Sequence, residues 1–342
     1  MPRHLSEILL IQIVATYLVI LGHSYPFITP LPEWLIQTQI FIYCFHMPLF
    51  VWISGYLLIY TQQADRYSTK AFIKKRTLKL LVPYVVLSVI AFVPKLFLQT
   101  YLNDSVSFDA YSMLRMFLVP RENVWGHFWF LPMIFLLGIT GIVVDKILSK
   151  FYKPKVGWLL ILGISFVFYC AFFKSQISPW FSIDDIINFG WIFVLGILCA
   201  YYHVLARLNK NIFSAICAFG VAVIVFMGSK VCTMPLYLTN AVIAVIMIYS
   251  LCEFCSYFAP KLKISRNSVY AQTFTMFLLS CPCQAIVNVL LERLFHCPYY
   301  IIIPFQFGIG VIMPMLIIWL IRMIETRYNF HYISFCLGNS HL

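Results

Sequence analysis

Long, continuously apolar segments follow one another along almost the whole of this 342-residue chain. Each segment runs for about 20 residues, the length that an α-helix needs to cross a lipid bilayer. Apolar residues make up 62% of the chain and charged residues only 11%, so there are too few polar side chains to cover a water-facing surface. A soluble fold is therefore excluded. Because the segments lack the alternating polarity of a transmembrane β-barrel, the sequence predicts an all-α bundle.

The hydropathy pattern predicts a polytopic transmembrane helical bundle of about ten spans. The predicted spans are 8–27, 38–60, 78–101, 127–145, 156–174, 186–204, 211–229, 235–254, 268–291 and 300–322. The connections between them are too short to fold alone, so residues 1–342 are expected to form a single transmembrane domain. The apolar run after the basic N-terminus lacks a small-residue cleavage site, and we expect it to remain as the first span.

Lys and Arg are distributed unevenly between the two sides of this predicted bundle. Eighteen of the 24 lie on the side that also holds both termini, and five lie in connections on the other side. Since Lys and Arg are enriched on the cytoplasmic side of membrane proteins, we expect both termini in the cytoplasm. This orientation explains the net charge of +12 without a nucleic-acid partner.

The cysteines give no sign of a metal or redox centre. Eleven of them are scattered, mostly through apolar runs, where thiols behave as small hydrophobic side chains. Cys252 and Cys255 form a CxxC pair, but no second pair or histidine cluster stands at the spacing of a zinc site. We therefore expect neither a bound metal nor a tightly bound cofactor.

Polar side chains inside apolar spans are costly unless they face the bundle interior, which makes them the main candidates for function. On the first span, Gln12, Thr16 and His23 share one helical face. His46 on the second span and His127 at the start of the fourth are expected at a similar level, in the outer half of the bundle. Each histidine has two open interpretations: a packing residue hydrogen-bonded across helices, or a proton-transfer group.

Two further sets of polar residues stand on other spans. Arg76 and Lys79 lie one turn apart where the third span leaves the cytoplasm, either as a clamp for phosphate groups or as positive-inside anchors. On the ninth span Ser280, Gln284 and Asn288 recur every fourth residue, so they face either the bundle interior or a helix contact.

Four short motifs stand in the first 135 or so residues: Gly22-His23-Ser24, FHMPLFVWISGYLL from Phe45 to Leu58, RTLKLLVPY from Arg76 to Tyr84, and HFWFLP from His127 to Pro132. Together they resemble the membrane-bound acyltransferase family 3. Their order along the chain is that of the family, which makes the combined signal specific. Beyond them only the hydropathy and a faint NSVY segment, Asn267 to Tyr270, look similar.

The resemblance implies roles for individual residues. His23 takes the place of the family's catalytic histidine, and Arg76 and Lys79 fill its two basic positions for the acyl donor. The sequence departs from the family's pattern at Gln12, where a cation is common, and at Ser280, where a histidine is often found. Lys79 also stands where a second arginine is frequent, and lysine keeps the charge without the planar fork.

From this resemblance we expect a multi-pass protein of the bacterial inner membrane that transfers an acyl group from cytoplasmic acyl-CoA, usually acetyl-CoA, to a hydroxyl of a surface or secreted glycan. His23 would act as general base, with Trp129 near the outer mouth available to stack on the sugar. Direct transfer and a covalent acyl-enzyme on Ser24, Ser280 or a cysteine both remain open. The alternatives are a transporter or flippase for a glycan or lipid-linked intermediate, and a catalytically inactive relative.

Overall fold

The computed structural model describes residues 5–98, 109–151, 153–175, 177–232, 234–262, 264, 265, 268, 271–329 and 332–338. Within these residues every regular element is helical. Of the segment from Asn267 to Tyr270 that carries part of the resemblance, only Ser268 is among them.

Twelve numbered helices make up this part of the chain. They are α1 (Leu5–Gly22), α2 (Glu33–Tyr60), α3 (Thr69–Arg76, Thr77–Leu81 and Val82–Leu98, without a break), α4 (Ala110–Leu118), α5 (Phe130–Leu148), α6 (Pro154–Phe172), α7 (Ile183–Tyr201), α8 (Ile212–Val231), α9 (Leu236–Phe258), α10 (Thr273–Val289), α11 (Tyr299–Tyr328) and α12 (Tyr332–Cys336). Short turns of helix lie at Gln63–Arg66, Pro120–Glu122, Gly126–Trp129, Trp180–Ser182 and Val204–Arg207. The middle section of α3 and the continuation of α10 at Leu290–Leu294 are π-helical.

Eight of the described helices are long and apolar enough to cross a bilayer: α2 and α5 to α11. α1 is apolar but shorter, and the Val82–Leu98 part of α3 lies within the predicted third span. The predicted all-α membrane bundle is confirmed. The count of ten spans and the cytoplasmic position of the termini stay predictions.

α2 lies at the centre of the bundle and α6 and α8 lie at its edge. In the most apolar 18-residue stretch of α2, 72% of the residues are buried inside the protein. The corresponding shares are 11% in α6 and 17% in α8. Large apolar side chains cover the outside of the two edge helices, among them Leu160 and Val167 on α6 and Ile224 on α8. An exposed apolar surface of this kind is what lipid tails require.

The central contact is a close crossing of α2 and α7 at Gly55 and Gly196. A Cβ atom added to Gly55 would lie 2.0 Å from the carbonyl oxygen of Phe193, and one added to Gly196 would lie 2.1 Å from that of Trp52. The two backbones therefore touch, as they do where small residues pack transmembrane helices together. Trp52, Ile53, Phe193 and Ile197 are buried around this crossing.

We expect Gly196→Ala to lower the free energy of unfolding by about 1–3 kcal/mol, because the added methyl group collides with backbone that has no room to move. Thermal unfolding in detergent measures this as a lower midpoint. Gly220→Ala on α8 is the matched control, since no heavy atom lies within 4 Å of its added Cβ. Equal midpoints for the two variants would contradict the close crossing.

Candidate active site

His23 lies just beyond the end of α1, in the first turn of the connection to α2. The helix ends at Gly22 rather than at the predicted residue 27, although the backbone N–H of His23 still donates to Val19, at 3.0 Å. Pro26 accounts for the earlier end, because a proline has no N–H and disfavours helical backbone in the residue before it. The imidazole of His23 is half-buried at this helix end.

Polar contacts from α10 and its continuation hold the segment that contains His23. The side-chain amide of Gln284 donates to the backbone oxygen of Ile20 and to Oγ of Ser24, each at 2.9 Å. Farther along, the buried carboxylate of Glu292 accepts the backbone N–H groups of residues 27, 28 and 29 at 2.9–3.0 Å. The backbone before His23 and the segment after it are thus held by hydrogen bonds to residues more than 250 positions away in sequence.

The three predicted histidines are brought together at this end of the bundle. The ring centroid of His23 lies 6.3 Å from that of His127 and 6.2 Å from that of Tyr43. Tyr43 in turn lies 5.0 Å from His46 and donates its hydroxyl hydrogen to the backbone oxygen of Gly22, at 2.9 Å. His46 and His127 are buried, at 5% and 8% exposure, so His23 is the most accessible of the three.

A cavity of about 200 Å³ opens next to Tyr43 at the same end of the bundle. Aromatic rings form much of its wall, including those of Tyr169, Phe189 and Trp191. Four polar side chains also line it: Arg121, Lys174, Asn188 and Asn240. Rings combined with a few convergent polar groups are typical of small-molecule sites.

Trp129 is in contact with other protein groups. Its ring stacks on Phe189 with centroids 5.3 Å apart, and the guanidinium of Arg121 lies 4.4 Å from its centroid. Arg121 is itself paired with Asp185, at 2.5 Å. These contacts give Trp129 a packing role beside the cavity, and its predicted stacking on a sugar stays a prediction.

Arg76 reaches farther into the bundle than its position in the sequence suggests. Its Cζ lies 3.9 Å from the point where Gly138, near the middle of α5, would carry a Cβ, and 5.1 Å from the ring centroid of Phe72. Within the part of the chain that the structure describes, no acidic side chain pairs with this guanidinium. An arginine inside a membrane bundle without a counter-ion is costly, which makes Arg76 a candidate functional residue.

Lys79 does not share the surroundings of Arg76. Its Nζ lies 5.9 Å from the ring centroid of Phe274 on α10, and the side chain is exposed. Arg76 ends the α-helical section, whereas Lys79 lies inside the π-helical turn Thr77–Leu81, whose wider turn changes the direction of its side chains. The predicted common face of Arg76 and Lys79 assumed α-helical spacing throughout, and it stays a prediction.

The other predicted site residues have mainly structural contacts. Thr16 is buried and donates its hydroxyl hydrogen to the backbone oxygen of Gln12, at 2.9 Å, and Gln12 is half-buried. Ser280 is fully buried and bonds the backbone of Phe277 at 3.3 Å. Of the two interpretations for Ser280, Gln284 and Asn288 on α10, the hydrogen bonds of Gln284 to the end of α1 favour a helix contact.

No group of three or more metal-ligating side chains occurs among the described residues.

The hydrogen-bond partner Glu292 was not identified from the sequence. It follows an apolar run, and nothing in the sequence pattern connects it to residues 27–29. The available signal was an acidic residue at the end of a predicted span, where a carboxylate needs partners.

A protein-family model described as an acyltransferase domain matches residues 5–323, which is nearly the whole chain. The chain belongs to this acyltransferase family. No curated protein and no solved structure matches it. Family and fold together make it an acyltransferase-family protein of the multi-pass membrane type, and the resemblance seen in its first 135 residues is confirmed over a much longer stretch.

Replacing Glu292 by Gln should loosen the segment after His23 in this acyltransferase. Gln offers one oxygen in place of two, and its amide N–H groups face the backbone donors of residues 27–29. We expect hydrogen exchange at these three amides to become about tenfold faster, or more. Glu33→Gln, at an exposed carboxylate on α2, is the control. Unchanged exchange in Glu292→Gln would show that the carboxylate does not hold this segment.

Proposed function

We propose that the protein is an O-acyltransferase of a bacterial inner membrane, which moves an acyl group, in the simplest case acetyl, from cytoplasmic acyl-CoA to a hydroxyl of a surface or secreted glycan. The observation that carries the proposal is the pair formed by a half-buried His23 at one end of the bundle and, deeper inside it, Arg76, which no acidic side chain of the described residues neutralises. The family supports acyl transfer, and these two residues supply a base and an anion site.

The 3₁₀ turn Gly126–Trp129 and α5 together provide a measure of the distance between the two groups. His127, which neighbours His23, lies 11 residues before Gly138, which neighbours Arg76. At a rise of about 2.0 Å per residue in the 3₁₀ turn and about 1.5 Å in α5, this corresponds to roughly 16–18 Å. A donor whose phosphates rest against Arg76 therefore needs an extended arm to present its thioester at His23, and the pantetheine arm of CoA is such a group.

The reaction needs one base and no charged carrier inside the bilayer. The acceptor hydroxyl approaches from the outer side and attacks the thioester carbonyl while His23 takes its proton. The new carbon–oxygen bond forms and the carbon–sulfur bond breaks. The proton held by His23 then neutralises the departing thiolate, which leaves as the thiol of CoA.

The cavity next to Tyr43 supports a sugar as the acceptor. Its aromatic wall suits the apolar face of a pyranose ring, and the side-chain amide N–H groups of Asn240 suit hydroxyl groups. The cavity is lined by Tyr43, whose ring centroid lies 6.2 Å from that of His23, so a sugar bound there would lie near the proposed base. Direct transfer is the simpler route, since Ser24 and Ser280 already bond backbone oxygens.

His23→Ala should lower kcat by about 10²- to 10⁴-fold, the usual contribution of a positioned general base, with little change in the KM for acyl-CoA. The measurement is the release of CoA thiol by protein in lipid nanodiscs with an acceptor glycan. His203→Asn, at an exposed histidine, is the control. Turnover close to that of the unmodified protein in His23→Ala would remove the base assignment, and no acyl transfer to any acceptor by the unmodified protein would favour a transporter or an inactive relative.

Arg76→Ala should instead weaken donor binding. Loss of a charge-assisted contact to phosphate costs about 1.5–3 kcal/mol, so the KM for acyl-CoA should rise roughly 10- to 100-fold with kcat less affected. Arg76→Lys keeps the charge without the planar fork, so its KM for acyl-CoA should lie between those of the unmodified protein and Arg76→Ala. Titration calorimetry with CoA checks the same effect without turnover, and an unchanged affinity would contradict the assignment.

A further inference from the structure

One ring nitrogen of His127 is buried without a hydrogen-bond partner. His127 is 8% exposed, and its Nε2 is fully shielded from solvent and bonds no described residue. A buried polar atom in this condition costs free energy and calls for an explanation. The proposed function does not use this atom.

The other ring nitrogen determines which form of the imidazole is present. The backbone oxygen of Leu278 in α10 lacks its helical donor, because the residue four positions on is Pro282, which has no N–H, and this oxygen is the partner that faces His127. Since Nε2 has no partner, the hydrogen bond to this oxygen belongs to Nδ1. The N–H of Leu278 is already used within its own helix, so the backbone oxygen accepts and Nδ1 carries the hydrogen. In the neutral ring Nε2 then carries the lone pair, so it is a hydrogen-bond acceptor to which no described residue donates.

The neighbours of His127 narrow the choice of donor. The nearest rings, Phe128 at 4.5 Å and Phe277 at 5.5 Å, have no polar hydrogen to give. His23 and Trp125, both at 6.3 Å, do have one. His23 is the stronger candidate because its ring, unlike the indole, belongs to the proposed chemistry, where an imidazole must have a defined tautomer.

The distance fits a contact that closes during the reaction. Two imidazoles joined by one N–H···N bond have centroids about 5 Å apart, given a bond of about 2.9 Å between the nitrogens. The observed 6.3 Å is little more than 1 Å longer. Catalytic hydrogen bonds are often long in the unliganded protein and shorten once substrate is bound.

We propose that His127 is a positioning residue for His23: its Nε2 accepts the N–H of one ring nitrogen of His23, which leaves the other nitrogen of His23 with its lone pair toward the acceptor hydroxyl. The proposal rests on the assignment of His23 as the base. When His23 takes the proton of the hydroxyl, the same contact becomes a charge-assisted hydrogen bond and stabilises the imidazolium until the proton passes to the thiolate. His127 itself gains and loses no proton.

Kinetics of two substitutions at His127 separate positioning from packing. His127→Phe keeps a ring of similar shape without an acceptor, and we expect kcat to fall roughly 10- to 100-fold with the KM for both substrates nearly unchanged. His127→Gln places an amide oxygen where it can accept from His23 and should recover most of this loss. Equal activity of His127→Phe and the unmodified protein would overturn the proposal, as would a Gln variant that is no better than Phe.

Nitrogen-15 NMR of histidine-labelled protein in nanodiscs tests the contact without turnover. The signals of His23 are assigned by their loss in His23→Gln. We expect one tautomer of His23 in the unmodified protein, a mixture in His127→Phe, and one tautomer again in His127→Gln. Trp125→Phe, which removes the competing donor, should leave the His23 signals unchanged. The same tautomer populations in the unmodified protein and His127→Phe would overturn the proposal.

Stability and the base assignment are controlled separately. If His127→Phe does not fold, His127→Asn, whose side chain is too short to reach His23, replaces it in both measurements. If His23→Ala retains turnover, the proposed base is wrong, whereas the tautomer of His23 still reports whether His127 holds it. A His23 tautomer that depends on His127 together with an unchanged kcat in His127→Phe would overturn the positioning role.

Discussion

The contact between α2 and α7 at Gly55 and Gly196 is the constraint on which the rest of the bundle depends. In lipid there is no hydrophobic driving force to bring helices together, so close backbone packing has to supply much of the attraction. α2 carries Tyr43 and His46 on the same helix that carries Gly55, and α7 lines the neighbouring cavity with Asn188 and Trp191. The crossing therefore sets the distance between the histidine cluster and the cavity wall.

Polar contacts at the candidate site are few, buried and long-range in sequence. Gln284 and Glu292 bind the end of α1 and the segment after it, and the backbone of Leu278 holds the ring of His127. All three belong to α10 and its continuation. This helix thus orients two histidines from different parts of the chain. That role explains why it carries polar side chains at buried positions.

Much of this arrangement could be predicted from the sequence, because a membrane places simple demands on it. Hydropathy located the helices, and the cost of polar groups in lipid pointed to His23, His46 and His127, which do come together. Other features depend on contacts that one sequence does not contain. The π-helical turn that follows Arg76 and contains Lys79 has no local signal in the sequence, and the hydrogen-bond partners of Glu292 lie more than 250 residues away. Gly55 and Gly196 are visible as glycines within helices, but their pairing is not.

The site also shows that the recognisable motifs are not self-sufficient. Every phrase with a strong family resemblance ends before residue 135, whereas the groups that hold His23 and His127 in place come from residues 278–292. A fragment that contained only α1 to α5 would keep every segment with the family resemblance. It would lack the hydrogen-bond partners that hold His23 and His127 in place. In this architecture the N-terminal third provides the reactive groups, and the C-terminal third acts as the template against which they acquire a fixed geometry.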